Sequence, residues 1–131
     1  MQIQKYKFMT RQEIVTYEVA KLAKEKGFPQ DVFGTCEMKS ACYLDDGRFY
    51  KDGCIYPIEN AYTAPTQSLL QRWLREEKGI IVIPYYRSVL RMWSATYELT
   101  SPYSFEDLRK CFKTYELALE DALRYALENL A

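Results

Sequence analysis

The sequence predicts one α+β domain over residues 1–131: a small antiparallel sheet with about three helices packed mainly on one face. Three windows carry apolar residues at helical spacing, and each opens on a threonine able to cap a helix. Two other windows alternate, or run β-branched, between turn residues. The order is helix, hairpin, helix, hairpin, helix, with no internal repeat and no strand–helix–strand alternation of the kind that builds a parallel sheet. With 48% apolar and 27% charged residues, the chain has ordinary globular composition and length for one core.

Thr10-Arg-Gln-Glu13 has the form of a capping box and predicts a helix over 10–26. Val15, Val19, Leu22 and Ala23 form its apolar stripe, and Glu18, Lys21 and Glu25 lie opposite. Gly27 and Pro29 stop it. Over 36–60, Met38, Ser40, Cys42 and Leu44 alternate with Lys39, Ala41 and Tyr43, and Asp45-Asp46-Gly47 and Lys51-Asp52-Gly53 are turn signals. One or two short antiparallel strands are expected there. Pro57 and Pro65 then bracket an irregular stretch around Asn60 and Tyr62.

Thr66 caps a second helix over 67–78 and Gly79 ends it. Leu69, Leu70, Trp73 and Leu74 are its apolar face; Gln71, Arg72, Arg75 and Lys78 are its polar face. Ile80-Ile-Val-Ile83 reads as a strand covered on both faces, with Pro84 marking the strand end or a sheet edge. Over 90–100, Trp93, Ala95, Tyr97 and Leu99 alternate with Met92, Ser94, Thr96 and Glu98, a second strand, with a helix the weaker alternative. Ser101-Pro102 breaks the pattern, and 105–112 reads as a helical turn or a loop. Thr114 caps a last helix over 115–130. Tyr115, Leu119, Ala122, Leu123, Ala126 and Leu130 line its apolar side; Glu116, Glu120, Arg124 and Glu128 form the opposite ridge, with attractive Glu120–Arg124 and Arg124–Glu128 pairs.

The chain has no histidine, which removes Ser-His and Cys-His nucleophile pairs, His-ligated metal and the usual neutral-pH general base. The five glycines form no phosphate-binding run. Asp45-Asp46, Glu76-Glu77 and Glu106-Asp107 are neighbours in sequence that point different ways on regular structure, so they read as solvated charge. Cys36, Cys42, Cys54 and Cys111 lack the paired knuckles of a structural zinc site and read as buried or half-buried thiols. These features exclude the familiar catalytic designs, and no enzyme activity, metal or cofactor is expected. The longest apolar run, Ile80 to Tyr86, is far short of a bilayer span, and the first residues lack a signal-peptide pattern. A cytoplasmic protein without membrane contact is the expectation.

Lys plus Arg equals Asp plus Glu at 18 each, but the balance is uneven along the chain. Residues 1–26 hold six basic and three acidic side chains, 27–65 three and six, 66–104 five and three, 105–131 four and six. Complementary blocks of this kind suit self-association or docking better than a phosphate track. The twelve tyrosines, six phenylalanines and two tryptophans point the same way, because Tyr and Trp are enriched where a surface is both apolar and hydrogen-bonding. Two groups stand out: Tyr85-Tyr86-Arg87 with Arg91 and Trp93, and Arg72, Trp73 and Arg75 on the second helix. The candidate interaction surface is Gln67, Gln71, Arg72, Arg75, Tyr85, Tyr86 and Arg91. A protein partner or self-association is expected, with weak nucleic-acid binding through these Arg and aromatic side chains as the rival.

Three stretches carry a resemblance: Thr16-Tyr-Glu-Val-Ala-Lys-Leu-Ala-Lys-Glu-Lys-Gly-Phe28, Thr114-Tyr-Glu-Leu-Ala-Leu-Glu-Asp-Ala-Leu123 and, most specific, Ala64-Pro-Thr-Gln-Ser-Leu-Leu-Gln-Arg-Trp-Leu-Arg-Glu76. The chain resembles a family of small proteins of gut anaerobic bacteria, often encoded in phage or mobile-element regions, to which no activity is assigned. The resemblance implies a phage or mobile-element origin over nearly the whole chain and brings no functional residues with it.

Overall fold

A computed structural model describes residues 14–30, 41–50 and 61–131. Its first helix, α1, runs from Tyr17 to Glu25 and is capped by Thr16, whose Oγ1 accepts from the Val19 amide. The Thr10–Glu13 capping box lies outside the described residues. The helix does not extend back through Ile14 and Val15 because these are extended: Ile14 bridges Thr66, and the Val15 amide donates to the Pro65 carbonyl at 3.1 Å. The other end follows expectation. Gly27 is left-handed at φ 98°, its amide donates to Lys24, and the Phe28 amide reaches back to the Ala23 carbonyl. This Schellman closure delivers Phe28 into the core.

The chain next forms β1 (Cys42–Tyr43) and β2 (Phe49–Tyr50), an antiparallel pair turned over Asp45-Asp46-Gly47 as predicted. The Lys51-Asp52-Gly53 turn signal lies outside the described residues. β3 (Tyr62–Thr63) falls inside the stretch read as irregular; it pairs antiparallel with β1, giving a sheet of order β2-β1-β3.

Helix α2 (Gln67–Lys78) has the predicted ends: Thr66 Oγ1 accepts from the Leu69 amide at 3.2 Å, and Gly79 closes it at φ 66°. A Cβ at Gly79 would sit 2.5 Å from Thr100 Oγ1, so both the backbone angle and the space select glycine. The second sheet, of order β4-β5-β6, follows: β4 (Ile80–Arg87), β5 (Met92–Thr100) and β6 (Tyr103–Asp107). β4 continues through Pro84 rather than ending there, because Pro84 stands on an edge strand. The Val82 carbonyl is taken by a side chain outside the sheet, so positions 82 and 84 face away from β5 and no ladder bond is lost. β6 replaces the expected turn or loop at its start. Beyond it β5 advances two residues, Ala95 to Trp93, while its neighbour advances four, Leu108 to Phe112. Arg109, at φ 60°, sits in the resulting bulge.

Helix α3 (Tyr115–Asn129), capped by Thr114, covers one face of the second sheet. Ala118, Leu119, Ala122, Leu123, Ala126 and Leu127 are its buried set; Tyr115, expected inside, is on the rim. The expected Glu120–Arg124 pair is replaced. Arg124 binds Asp121 and Glu128, and Glu120 turns to α1 and α2. One core joins Val19 and Ala23 of α1, Leu70 and Leu74 of α2, Ile80 and Val82 of β4, Tyr43 of β1 and Leu123 and Leu127 of α3. The α+β class predicted from sequence therefore holds, with the strands divided between two sheets.

Candidate functional site

Helix α2 carries two apolar ridges. Leu70 and Leu74 are fully buried. One position back on each turn, Leu69 and Trp73 form a second ridge with Arg72 and Glu76, spaced i, i+3, i+4, i+7. This ridge is one wall of a groove of about 590 Å³. The described residues of its other wall and floor are Ile14, Phe28, Pro29, Ala41 and the Thr63–Pro65 segment. The Trp73 ring stands edge-on to Phe28, centroids 5.3 Å apart, and the Lys78 ammonium lies 5.5 Å from its centre. Leu69 is 49% exposed. Arg72 and Glu76 pair at 3.0 Å on the exposed rim. The size is that of a pocket for one or two side chains or a small ligand, with an apolar floor and charge only at the rim.

The predicted surface residues are only partly brought together. Arg72 lines the groove; Arg75 is exposed on the same helix but does not line it. Gln67 is not a surface residue: it is 5% exposed, and its amide nitrogen donates to the Glu116 carbonyl and to Glu120 Oε1, each at 2.9 Å. Glu120 Oε2 also accepts from the Thr16 amide at 2.8 Å, so this pair of side chains ties the starts of α1 and α2 to α3. Gln71 turns inward as well and donates to the Val82 carbonyl at 2.6 Å, capping the free edge of β4. Glutamine at i and i+4 on a capped helix reads as polar surface, but here the helix lies against other elements on that side too.

The β4–β5 group is also divided, because successive strand residues point to opposite faces. Tyr86 lies on the α3 side with its ring 5.2 Å from Trp93, which meets Tyr115 edge-on. Tyr85 lies on the other face and donates to Asp107 at 2.5 Å, while Arg87 donates to both the Tyr85 hydroxyl and Asp107. Burial pushes the Asp107 carboxyl up, but the Tyr85 hydroxyl, the Arg109 amide and the Arg87 guanidinium outweigh it and hold it below the usual carboxylate range. Arg91 is exposed in the β4–β5 turn at φ 55°, apart from both. Cys42 is buried and Cys111 half-buried beside Ser94; Cys36 and Cys54 lie outside the described residues.

Leu69, Phe28, Glu76 and Glu77 were missed as groove residues. The available signal was the width of the apolar face on α2: Leu69/Trp73 duplicates Leu70/Leu74, one more ridge than a single core contact needs. Comparison with family models, with curated proteins and with solved structures finds no match for this chain. The groove and its chemistry therefore carry the functional reading. No described helix is long and apolar enough to cross a membrane.

Proposed function

We propose that the chain is a small, non-enzymatic interaction domain that receives an apolar segment of a protein partner in the groove between α2 and β3. The observation that carries this reading is Leu69, 49% exposed beside half-buried Trp73 on an apolar floor, with the Arg72–Glu76 pair at the rim. A tryptophan and an arginine around a cleft that sheds water on binding are what protein hot spots are made of. The reading needs no cofactor and no membrane. It is compatible with a cytoplasmic accessory protein of phage or mobile-element origin, for which the sequence resemblance is the support. The nucleic-acid rival loses one of its supports, since Tyr85 and Tyr86 do not present their rings to one ligand.

The test is affinity capture from host lysate after nuclease treatment, read by mass spectrometry, with the wild-type chain, Leu69→Lys, Arg72→Glu and a Val89→Lys control. A partner retained by wild type and Val89→Lys but lost by Leu69→Lys and weakened by Arg72→Glu supports the groove. A partner indifferent to Leu69→Lys overturns it. Partners that disappear with nuclease, and whose binding falls steeply with salt, favour the nucleic-acid rival.

A further inference from the structure

Among the described residues the two sheets have four edge strands, and these are not alike. The free edge of β4 is closed by Gln71 on the Val82 carbonyl and by Pro84, which has no amide to offer. The free edge of β3 is closed by Gln30, whose Oε1 accepts from the Thr63 amide at 2.8 Å. β2 is two residues long. β6 has none of these devices. The Leu108 amide donates to the Ala95 carbonyl, which sets the parity: Ser104 and Glu106 face β5, and the backbones of Tyr103, Phe105 and Asp107 face outward. No strand among the described residues pairs there. Phe105 is 56% and Tyr103 71% exposed, on the sheet face that α3 leaves uncovered, with Ile83 at 45% on the same face.

We infer that β6 is a self-pairing edge, on which a second copy of the chain docks antiparallel and two-fold about Phe105, joining the two β4-β5-β6 sheets into one. This surface is separate from the groove and does not depend on it. Its outward positions are symmetric about Phe105, so in this register Phe105 faces its own copy and Tyr103 faces the copy's Asp107. All three outward positions on each side then exchange their backbone bonds. The bulge after Asp107 ends the pairing at that residue and disfavours a slipped register. Closure about a two-fold axis makes the pairing antiparallel. Glu98 stands opposite Phe105 at the centre of the edge and accepts from the Tyr103 hydroxyl at 3.0 Å. The Asp107 end carries the Arg87–Asp107 pair, with Glu106 and Arg109 exposed beside it. Antiparallel docking sets Tyr103 of each copy beside the Arg87–Asp107 pair of the other.

Sedimentation of the full chain over a wide concentration range tests this. The wild type is expected to approach twice the monomer mass as concentration rises. Phe105→Lys and Tyr103→Lys are expected to remain monomeric with unchanged thermal melting, since both side chains are exposed. Leu69→Lys is expected to leave the mass unchanged, so this inference and the groove stand or fall separately. As a second readout, Phe105→Cys should give a covalent dimer on mild oxidation that Val89→Cys does not, because directly paired residues fall within disulfide reach. A wild type that stays monomeric throughout overturns the proposal and leaves the edge to an extended peptide. A dimer that survives Phe105→Lys, or is lost on Leu69→Lys, overturns it by placing the interface elsewhere.

Discussion

The two sheets among the described residues are held together in different ways. β4, β5 and β6 are paired over continuous registers of eight and five residue pairs, and their buried apolar side chains lie under α3. β1, β2 and β3 are two residues each, too short for the ladder alone to define them. Side chains define that sheet instead. Tyr43 donates to the Val15 carbonyl at 2.7 Å, Tyr17 to the Asp45 carbonyl at 2.7 Å and Lys24 to the Ala61 carbonyl at 3.1 Å. The Tyr17 ring meets Tyr43 and Tyr62 edge-on, and Tyr43 packs on Phe49. Tyr17 and Tyr43 thus act where backbone pairing is thin, each ring packing on its neighbours while its hydroxyl reaches a carbonyl, and the Tyr62 hydroxyl donates to the Asp45 carboxylate at 3.1 Å. In the larger sheet the tyrosine hydroxyls bind carboxylates, Tyr85 on Asp107 and Tyr97 on Glu106, and Tyr97 ionises less readily because its hydroxyl donates a hydrogen bond to the Glu106 carboxylate.

The difference can be broken or sharpened by mutation. Leu123→Ala should have the largest effect, about 2–5 kcal/mol, because the side chain is fully buried in the core shared by both sheets. Denaturant unfolding followed by tryptophan fluorescence and by far-ultraviolet dichroism should shift together. Separated transitions would mean that the two sheets do not share one cooperative core. Tyr43→Phe comes next, at about 1–3 kcal/mol, since it leaves the Val15 carbonyl without its buried donor. Tyr85→Phe, at a half-exposed site that water can reach, should change stability by less than about 1 kcal/mol. Equal losses at the two positions would contradict the contrast between the sheets.

The smallest effect is expected from Asp107. Its carboxyl is held below the usual range in the folded chain, so its charged form favours folding above the unfolded value of about 3.9. That contribution is lost as pH falls through the lower folded value. Asp107→Asn should flatten the acid limb of the stability curve while leaving neutral-pH packing of α3 unchanged. An acid limb identical in the variant would show that the Arg87–Tyr85–Asp107 cluster adds nothing to folding.

What was legible in the sequence were features written within a few residues. Thr66, Thr114, Gly27 and Gly79 are legible because caps and stops depend on the local backbone. β5 was legible because alternation over nine residues is a strong signal, and the first half of β4 because Ile80–Ile83 is a β-branched run between Gly79 and Pro84. β3 and β6 were not. Tyr62–Thr63 is a strand only because β1 lies beside it, and Tyr103–Asp107 is five residues between a proline and a bulge. The start of α1 was misread because Thr10 and Thr16 are both acceptable caps, and the bridge from Ile14 to Thr66 decides that Thr16 caps the described helix.

The sequence by itself determined the α+β class, the three helices, the turn at Asp45-Asp46-Gly47 and a chain rich in aromatics with balanced charge. Only the tertiary structure decided which polar residues are surface. Gln67 and Gln71 occupy the polar side of a well-capped helix, yet one is buried against Glu120 and the other closes a sheet edge. Leu69 reads as core and lines an open groove. The physical reason is that local periodicity gives the faces of an element, whereas which faces meet neighbours depends on contacts between segments distant in the chain.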